Sequence, residues 1–261
     1  MSEPSAQSQP LVEFREVSKR FGAGPLVLDQ ITLATRPGDF VSLIGPSGCG
    51  KSTLLRLIAG LTSVSSGTLT VDGLTPEAAA AELAFVFQEP TLLPWLTVAA
   101  NIELPLSLRG ILPAERVATR QRVLELVRLN PKASAYPRQL SGGQKMRVSI
   151  ARALALSPKI LLLDEPFGAL DEMTREHLNE ELLAIRERHA WTAFFVTHSV
   201  AEAVFLSNRV LVMSANPGHI HTEITIPFAY PRTEQTRLSR DYHDLVAKVS
   251  RILRSVETDT V

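Results

Sequence analysis

The sequence predicts an α/β fold in which a mostly parallel core sheet is joined by an N-terminal antiparallel β subdomain and an inserted helical subdomain. Three observations carry this reading. The runs "KILLLDE" (159–165) and "TAFFVTH" (192–198) are near-continuous apolar stretches, as strands covered on both faces are. Between them, 172–188 reads as a helix, and a β-α-β rhythm implies right-handed crossovers with parallel pairing. The first third of the chain consists of short strand-like runs bounded by Gly, Pro and Asp, whereas 89–157 turns helical.

Taken in order, "MSEPSAQSQP" lacks both the basic region and the apolar core of a secretory signal, and 1–10 is expected as a disordered tail. Strands follow at 11–17, 28–35, 39–45 and 67–73, with a further buried strand at 83–88. In the helical part, 113–129 has a proline near its start and apolar residues at 117, 124 and 127 on one face. The helical insertion is thus expected at about 89–157. Beyond it, within 226–261, "IPFAYPR" reads as a Pro-broken linker. An amphipathic helix over 241–256 follows, with Leu245, Val249, Ile252, Leu253 and Val256 on one stripe. That helix either packs on its own core or serves regulation or dimer contact.

Lys plus Arg and Asp plus Glu both total 27, so the net charge is zero, which counts against a protein that tracks a nucleic-acid backbone. No apolar run approaches the ~18 residues that span a bilayer. Cys49 is the single cysteine, so an internal disulfide is excluded and a reducing cytosol suits the chain. His219 and His221 would share one strand face, as solvated side chains rather than a metal pair.

The motif "GPSGCGKST" (45–53) fits G-x-x-x-x-G-K-[ST] in full, after a strand and before a helix. Gly45, Pro46, Ser47, Gly48, Cys49, Gly50, Lys51, Ser52 and Thr53 would wrap backbone N–H groups around phosphates at a positive helix end. Lys51 would bridge the β- and γ-phosphates of a nucleotide, and the Ser52 hydroxyl would ligate Mg²⁺. "ILLLDE" (160–165) supplies the acidic half: Asp164 would reach Mg²⁺ through water, and Glu165 would polarise the attacking water as a general base. "LSGGQ" (140–144) puts Ser141, Gly142, Gly143 and Gln144 at the mouth of another helix, a second place to hold phosphate.

These three motifs, in this order and spacing, resemble the ATP-binding subunit of an ATP-binding-cassette transporter, over about residues 11–225. The resemblance implies ATP with Mg²⁺ and two cassettes packed head to tail, each LSGGQ loop capping the ATP on its partner's phosphate loop. Ser141 and Gly143 would then hold the other subunit's γ-phosphate. It further implies that Phe21, in "VSKRFGAG", stacks on adenine, the alternative being a core or turn phenylalanine. Gln88 matches a glutamine that joins Mg²⁺ and senses the γ-phosphate. Asp171, in "GALDE", matches the loop that crosses the dimer seam. His198 matches a switch histidine that contacts the γ-phosphate and positions Glu165. Ser199 stands where an acidic residue is more usual, and Lys145–Met146 where Arg-Gln is frequent.

"QEPTLLPWLTVAANI" (88–102) places Leu92, Leu93 and Trp95 between Pro90 and Pro94, either packed inside the helical insertion or exposed as a docking surface. With "NEELLAIRE", "HSVAEAVFLSNRV" and "SANPGHI", it looks closest to nitrate/sulfonate/taurine-type import ATPases. That implies a peripheral subunit on the cytoplasmic face of the inner or plasma membrane. It would be paired with a second cassette (a second copy, the alternative being a paralogue), gripped by integral membrane permease subunits and served indirectly by an extracytoplasmic substrate-binding protein. No nucleic acid is expected as partner. The rival readings are an ABC-type ATPase acting on nucleic acid or ribosomes, a nucleotide-sensing subunit without hydrolysis, and an exporter. The first would carry coiled-coil insertions, zinc motifs or a second cassette in the chain, and the second would lack Glu165 or His198. Many exporters fuse a membrane domain to the cassette.

Overall fold

The computed structural model describes residues 9–189 and 191–258, so the expected tail lies, over 1–8, outside the described residues. The chain starts with an antiparallel pair, β1 (Val12–Arg20) and β2 (Leu26–Thr35), then β3 (Phe40–Ile44), α1 (Lys51–Ile58) and β4 (Ser66–Val71). β4 returns to pair antiparallel with β1, giving a three-stranded sheet in the order β2-β1-β4. β5 (Leu83–Val86) leads into α2 (Val98–Leu108), α3 (Pro113–Leu126) and α4 (Gly142–Leu154). Next come β6 (Ile160–Asp164), α5 (Glu172–Arg188), β7 (Thr192–Val196) and α6 (Val200–Leu206). A hairpin of β8 (Arg209–Ser214) and β9 (His219–Thr225) precedes α7 (Glu234–Leu238) and α8 (Arg240–Thr258).

The larger sheet runs β5-β6-β7-β3-β8-β9 and is parallel apart from its edge strand β9. Alternation along each strand divides its side chains between two cores. Val41, Leu43, Leu162 and Phe194 face α1 and the small sheet, meeting Leu54 and Phe14. Phe40, Ile44, Leu161, Leu163 and Phe195 face the helices on the other side. Strands apolar on both faces therefore mark a central sheet, at about 1.5–3 kcal/mol per fully buried large side chain. In α3 the buried face is Val123 and Leu124, continued by Val127, whereas Val117 is exposed, so the expected stripe begins about two turns later.

The stretch 226–232 is not a loose linker. α6 ends with carbonyls that its own ladder cannot satisfy. The Arg232 guanidinium donates to three of them, on Val204 (2.9 Å), Phe205 (2.8 Å) and Ser207 (2.9 Å), and the Tyr230 hydroxyl donates to Leu206 O (2.7 Å). The Tyr230 ring lies between the guanidiniums of Arg186 (4.1 Å) and Arg232 (4.2 Å), so the segment is a strap that caps a helix. α8 then lays Val249 and Val256 into the helix-side core, with Leu245, Ile252 and Leu253 packed against it.

The stretch after β5 is held rigid from behind. The buried Asn101 side chain accepts from Leu93 N (2.8 Å) and donates to Leu93 O, Leu96 O and Thr97 O. Arg152 of α4 donates to Pro90 O (3.1 Å) and Thr91 O (2.9 Å). Leu92 packs on the core, while Trp95 is left 70% exposed. The cluster is thus divided between a packed Leu92 and an exposed Trp95.

Candidate nucleotide site

Neighbouring strands bring the site together. β6, β7 and β3 lie side by side, with Asp164 opposite Val196 and Val196 opposite Leu43. The phosphate loop leaves β3, Asp164 and Glu165 end β6, and His198 follows β7, so all three emerge at one edge of the sheet. β5 adds Gln88 from the flank, since Val86 pairs with Leu163.

The loop at 45–53 turns into α1 through Gly50, whose φ of +94° and close approach to Leu28 leave no room for a Cβ. At Gly45 a Cβ would stand 2.5 Å from Met213 O, so the loop is pressed against β8. Ser47, Gly48, Gly50, Lys51, Ser52 and Thr53 line a cavity of about 220 Å³, together with Val27, Glu165 and His198. The Lys51 ammonium donates to the carbonyls of Gly45 (2.8 Å) and Pro46 (2.9 Å), which curls it over its own loop.

Gly45, Pro46 and Cys49, grouped by sequence with the nucleotide-binding residues, do not line this cavity; they build the turn behind it. The Cys49 side chain is fully buried, and burial pushes its thiol up against the lowering pull of Lys51. Alkylation is therefore not the ready block on nucleotide binding that its place in the loop suggests. A maleimide time course should show Cys49 modified at least about tenfold more slowly in the native protein than in denaturant. Equal rates would show that the thiol is accessible.

Ser52 Oγ donates to Asp164 Oδ1 (2.8 Å), joining the two groups expected at Mg²⁺. Burial pushes the Asp164 carboxyl up, the Ser52 hydroxyl draws it back, and Glu165 adds to the rise. A half-buried carboxylate disfavoured by desolvation gains from a cation. Among the described residues no group of three or more His, Cys, Asp and Glu could hold a metal alone. Mg²⁺ takes one or two protein oxygens and completes its shell with phosphates and water, and the Ser52 hydroxyl and Asp164 carboxylate are two such oxygens.

Glu165 accepts from His198 Nε2 (2.7 Å) and from Gln88 Nε2 (3.4 Å). Its backbone has φ +48°, a left-handed conformation that costs a non-glycine residue about 1–3 kcal/mol and clusters at functional sites. Glu165 N donates to Val196 O (3.0 Å), which pins this turn to β7. Glu165 and His198 line both the phosphate-side cavity and a neighbouring one of about 250 Å³ that Gln88, Phe167, Thr197 and Glu202 complete.

Ser141, Gly142, Gly143 and Gln144 line neither cavity. They form a capping box: Ser141 Oγ accepts from Gln144 N (3.3 Å), and the Gln144 side chain accepts from Ser141 N (3.0 Å). A Cβ at Gly143 would meet Thr174 at 2.8 Å, so this helix start rests on α5. Asp171 caps α5 by accepting from Thr174 N (3.0 Å), which holds its carboxyl below the usual range. Phe21 is 49% exposed, with Lys19 Nζ 4.6 Å above its ring, and so is no core phenylalanine.

The sequence reading missed Thr197, Glu202, Arg175 and Val27. Ser199 and Glu202 carried a readable signal, the S-x-x-E pattern of a helix start, and Ser199 Oγ accepts from Glu202 N (3.3 Å). The unusual serine after His198 is thus the cap of α6.

A phosphate loop at a helix N-terminus, a hydroxyl–aspartate pair and a glutamate held between histidine and glutamine define a P-loop ATPase. Comparison with known proteins carries this further. The ABC transporter family model matches residues 28–168. A putative ATP-binding protein of Brucella abortus (strain 2308) is 45% identical over 234 residues, 90% of each chain. The aliphatic sulfonates import ATP-binding protein SsuB of Bacillus subtilis (strain 168) is 48% identical over 210 residues, 80% of this chain and 81% of its own. Among solved structures, the ATP-binding cassette MJ0796, as a post-hydrolysis dimer bound to ADP and Pi, superposes with TM-score 0.74 at 32% identity. That match covers 84% of this chain and 100% of the other. The chain belongs to the ABC transporter family, as one of its ATP-binding, ATP-hydrolysing members.

Proposed function

We propose that this protein is the ATPase subunit of an importer for small anionic solutes of the sulfonate class, working as a head-to-tail pair of identical chains. The observation that carries the paired arrangement is the separation of the two phosphate-binding elements. Lys51 and Ser52 line one cavity with Glu165 and His198, while Ser141 and Gly143 stand at another helix mouth outside it. A second copy would bring its own Ser141 and Gly143 over the first copy's nucleotide.

In this reading Phe21 stacks on adenine, and Lys51 leaves its loop carbonyls for the β- and γ-phosphates. Ser52, Gln88 and Asp164 would hold Mg²⁺, which would supply charge neutralisation at the phosphates. Glu165 takes a proton from the attacking water, and His198 fixes the Glu165 carboxylate from one side while Gln88 does so from the other. Asp171 sits at the seam between copies. The likeness to import ATP-binding proteins supports a route for solute through partner permease chains, with a substrate-binding protein beyond them and this subunit on the cytoplasmic face. The 46–48% identity to proteins named for aliphatic sulfonate import supports the solute class.

Trp95 supplies an aromatic anchor on a braced loop that begins at Gln88, which joins docking to the γ-phosphate end of the site. The test is affinity purification of the tagged full chain from detergent-solubilised membranes of its host, with identification of co-purified chains. An integral membrane permease should be recovered, and Trp95→Ala should lower its yield about tenfold. Recovery of soluble proteins or nucleic acid alone would overturn the transport assignment.

A further inference from the structure

Glu202 is a buried carboxylate, 5% exposed, that the proposed chemistry does not use. It sits in the first turn of α6, and one of its oxygens accepts from the Thr197 hydroxyl. The same Thr197 oxygen accepts from Ser199 N (2.9 Å), and Ser199 Oγ accepts from Glu202 N (3.3 Å). Residues 197, 199 and 202 therefore close a ring of three hydrogen bonds around His198, which itself contributes none of them. The second carboxylate oxygen faces Arg175 Nε at 3.8 Å, an ionic approach rather than a hydrogen bond. The Arg175 NH2 group donates in turn to Leu170 O (2.8 Å), the carbonyl just before Asp171.

We propose that Glu202 is a positioning residue, which fixes the loop carrying His198 through Thr197 and ties it through Arg175 to the turn carrying Asp171. This rests on the reading of His198 as the partner of Glu165 and the γ-phosphate. The geometry argues for it in two ways. A histidine half exposed on a short connection between β7 and α6 has little packing of its own, so its place is set by the ring beneath it. The ring's one charged member reaches Arg175 on α5 and, through it, the turn next to Asp171, while Thr197 N anchors the ring to β3 by donating to Leu43 O (3.3 Å). Burial pushes the Glu202 carboxyl up, against the smaller lowering pull of Thr197, Arg175, the nearby Asn179 amide and Arg237.

The test is steady-state ATP hydrolysis by the purified full chain carrying Glu202→Gln, His198→Ala, or both, with nucleotide affinity measured separately. Glu202→Gln should lower kcat about tenfold and change the KM for ATP by less than about twofold, the mark of an interaction used beyond ground-state binding. The double variant should be no slower than His198→Ala alone, because groups that act through one another do not add. Losses that multiply would overturn the proposal, since general weakening of the fold acts independently of His198. Should Glu202→Gln fail to fold, Thr197→Val carries the same test. It keeps the side-chain shape but removes the hydroxyl, and it should show the same non-additivity, with Thr197→Ser recovering most of the loss. Full turnover in His198→Ala would overturn the His198 reading and this proposal with it, a result separate from multiplied losses.

Discussion

Glu165→Gln should leave ATP binding intact, slow hydrolysis by about 10²–10³-fold and trap ATP-bound dimers. The exchange preserves shape and keeps one acceptor oxygen for His198 Nε2, now at 2.7 Å, while an amide NH2 replaces the oxygen that accepts from Gln88. It removes the capacity to take a proton. The lost stabilisation, about 2.7–4 kcal/mol, is what one well-placed general base supplies. The left-handed backbone at Glu165 is set by the turn to β7 through the bond to Val196 O, not by the head group, so the variant keeps the loop. Two measurements check it. Phosphate release reports the chemistry, and light scattering at saturating Mg-ATP reports assembly. Retained turnover would move the base elsewhere, and a variant that stays monomeric would count against a nucleotide sandwiched between chains.

Most of the site was legible because its chemistry is carried by contiguous residues. A phosphate loop needs its glycines, lysine and hydroxyl within one turn into a helix, and Asp164 and Glu165 are adjacent at a strand end. The doubly buried strands were legible for the same reason: covering on both faces leaves an apolar run with no polar face. What escaped depends on groups far apart in sequence. Which way the Cys49 thiol points is decided by β8 pressing on Gly45 and by Leu28 behind Gly50. The role of Arg232 depends on the unpaired carbonyls at the end of α6, and Arg175 finds Glu202 only once α5 and α6 pack. The exposure of Val117 has a local cause, since the buried face of α3 is short and begins only after its first two turns.

Mixing two inactive variants should restore hydrolysis, and this is the most direct probe of the paired site. Lys51→Ala removes the phosphate-binding ammonium, and Ser141→Arg fills the mouth of α4 with a bulky charge. Each alone should abolish most turnover, because in a pair of identical chains every nucleotide would meet one damaged element. In a mixed pair, one site joins both lesions and the other joins an intact loop at 45–53 to an intact Ser141. Random pairing makes about half of the dimers mixed, with one of two sites intact in each, so about a quarter of the wild-type sites return. Ser141 supports this use by its position: it caps its own helix at an exposed helix start and lines neither the cavity with Lys51 nor its neighbour. If Ser141 acted on the nucleotide of its own chain, a mixed pair would hold one site lacking Lys51 and one site lacking Ser141. The mixture would then be as inactive as its parts, at every ratio of the two variants.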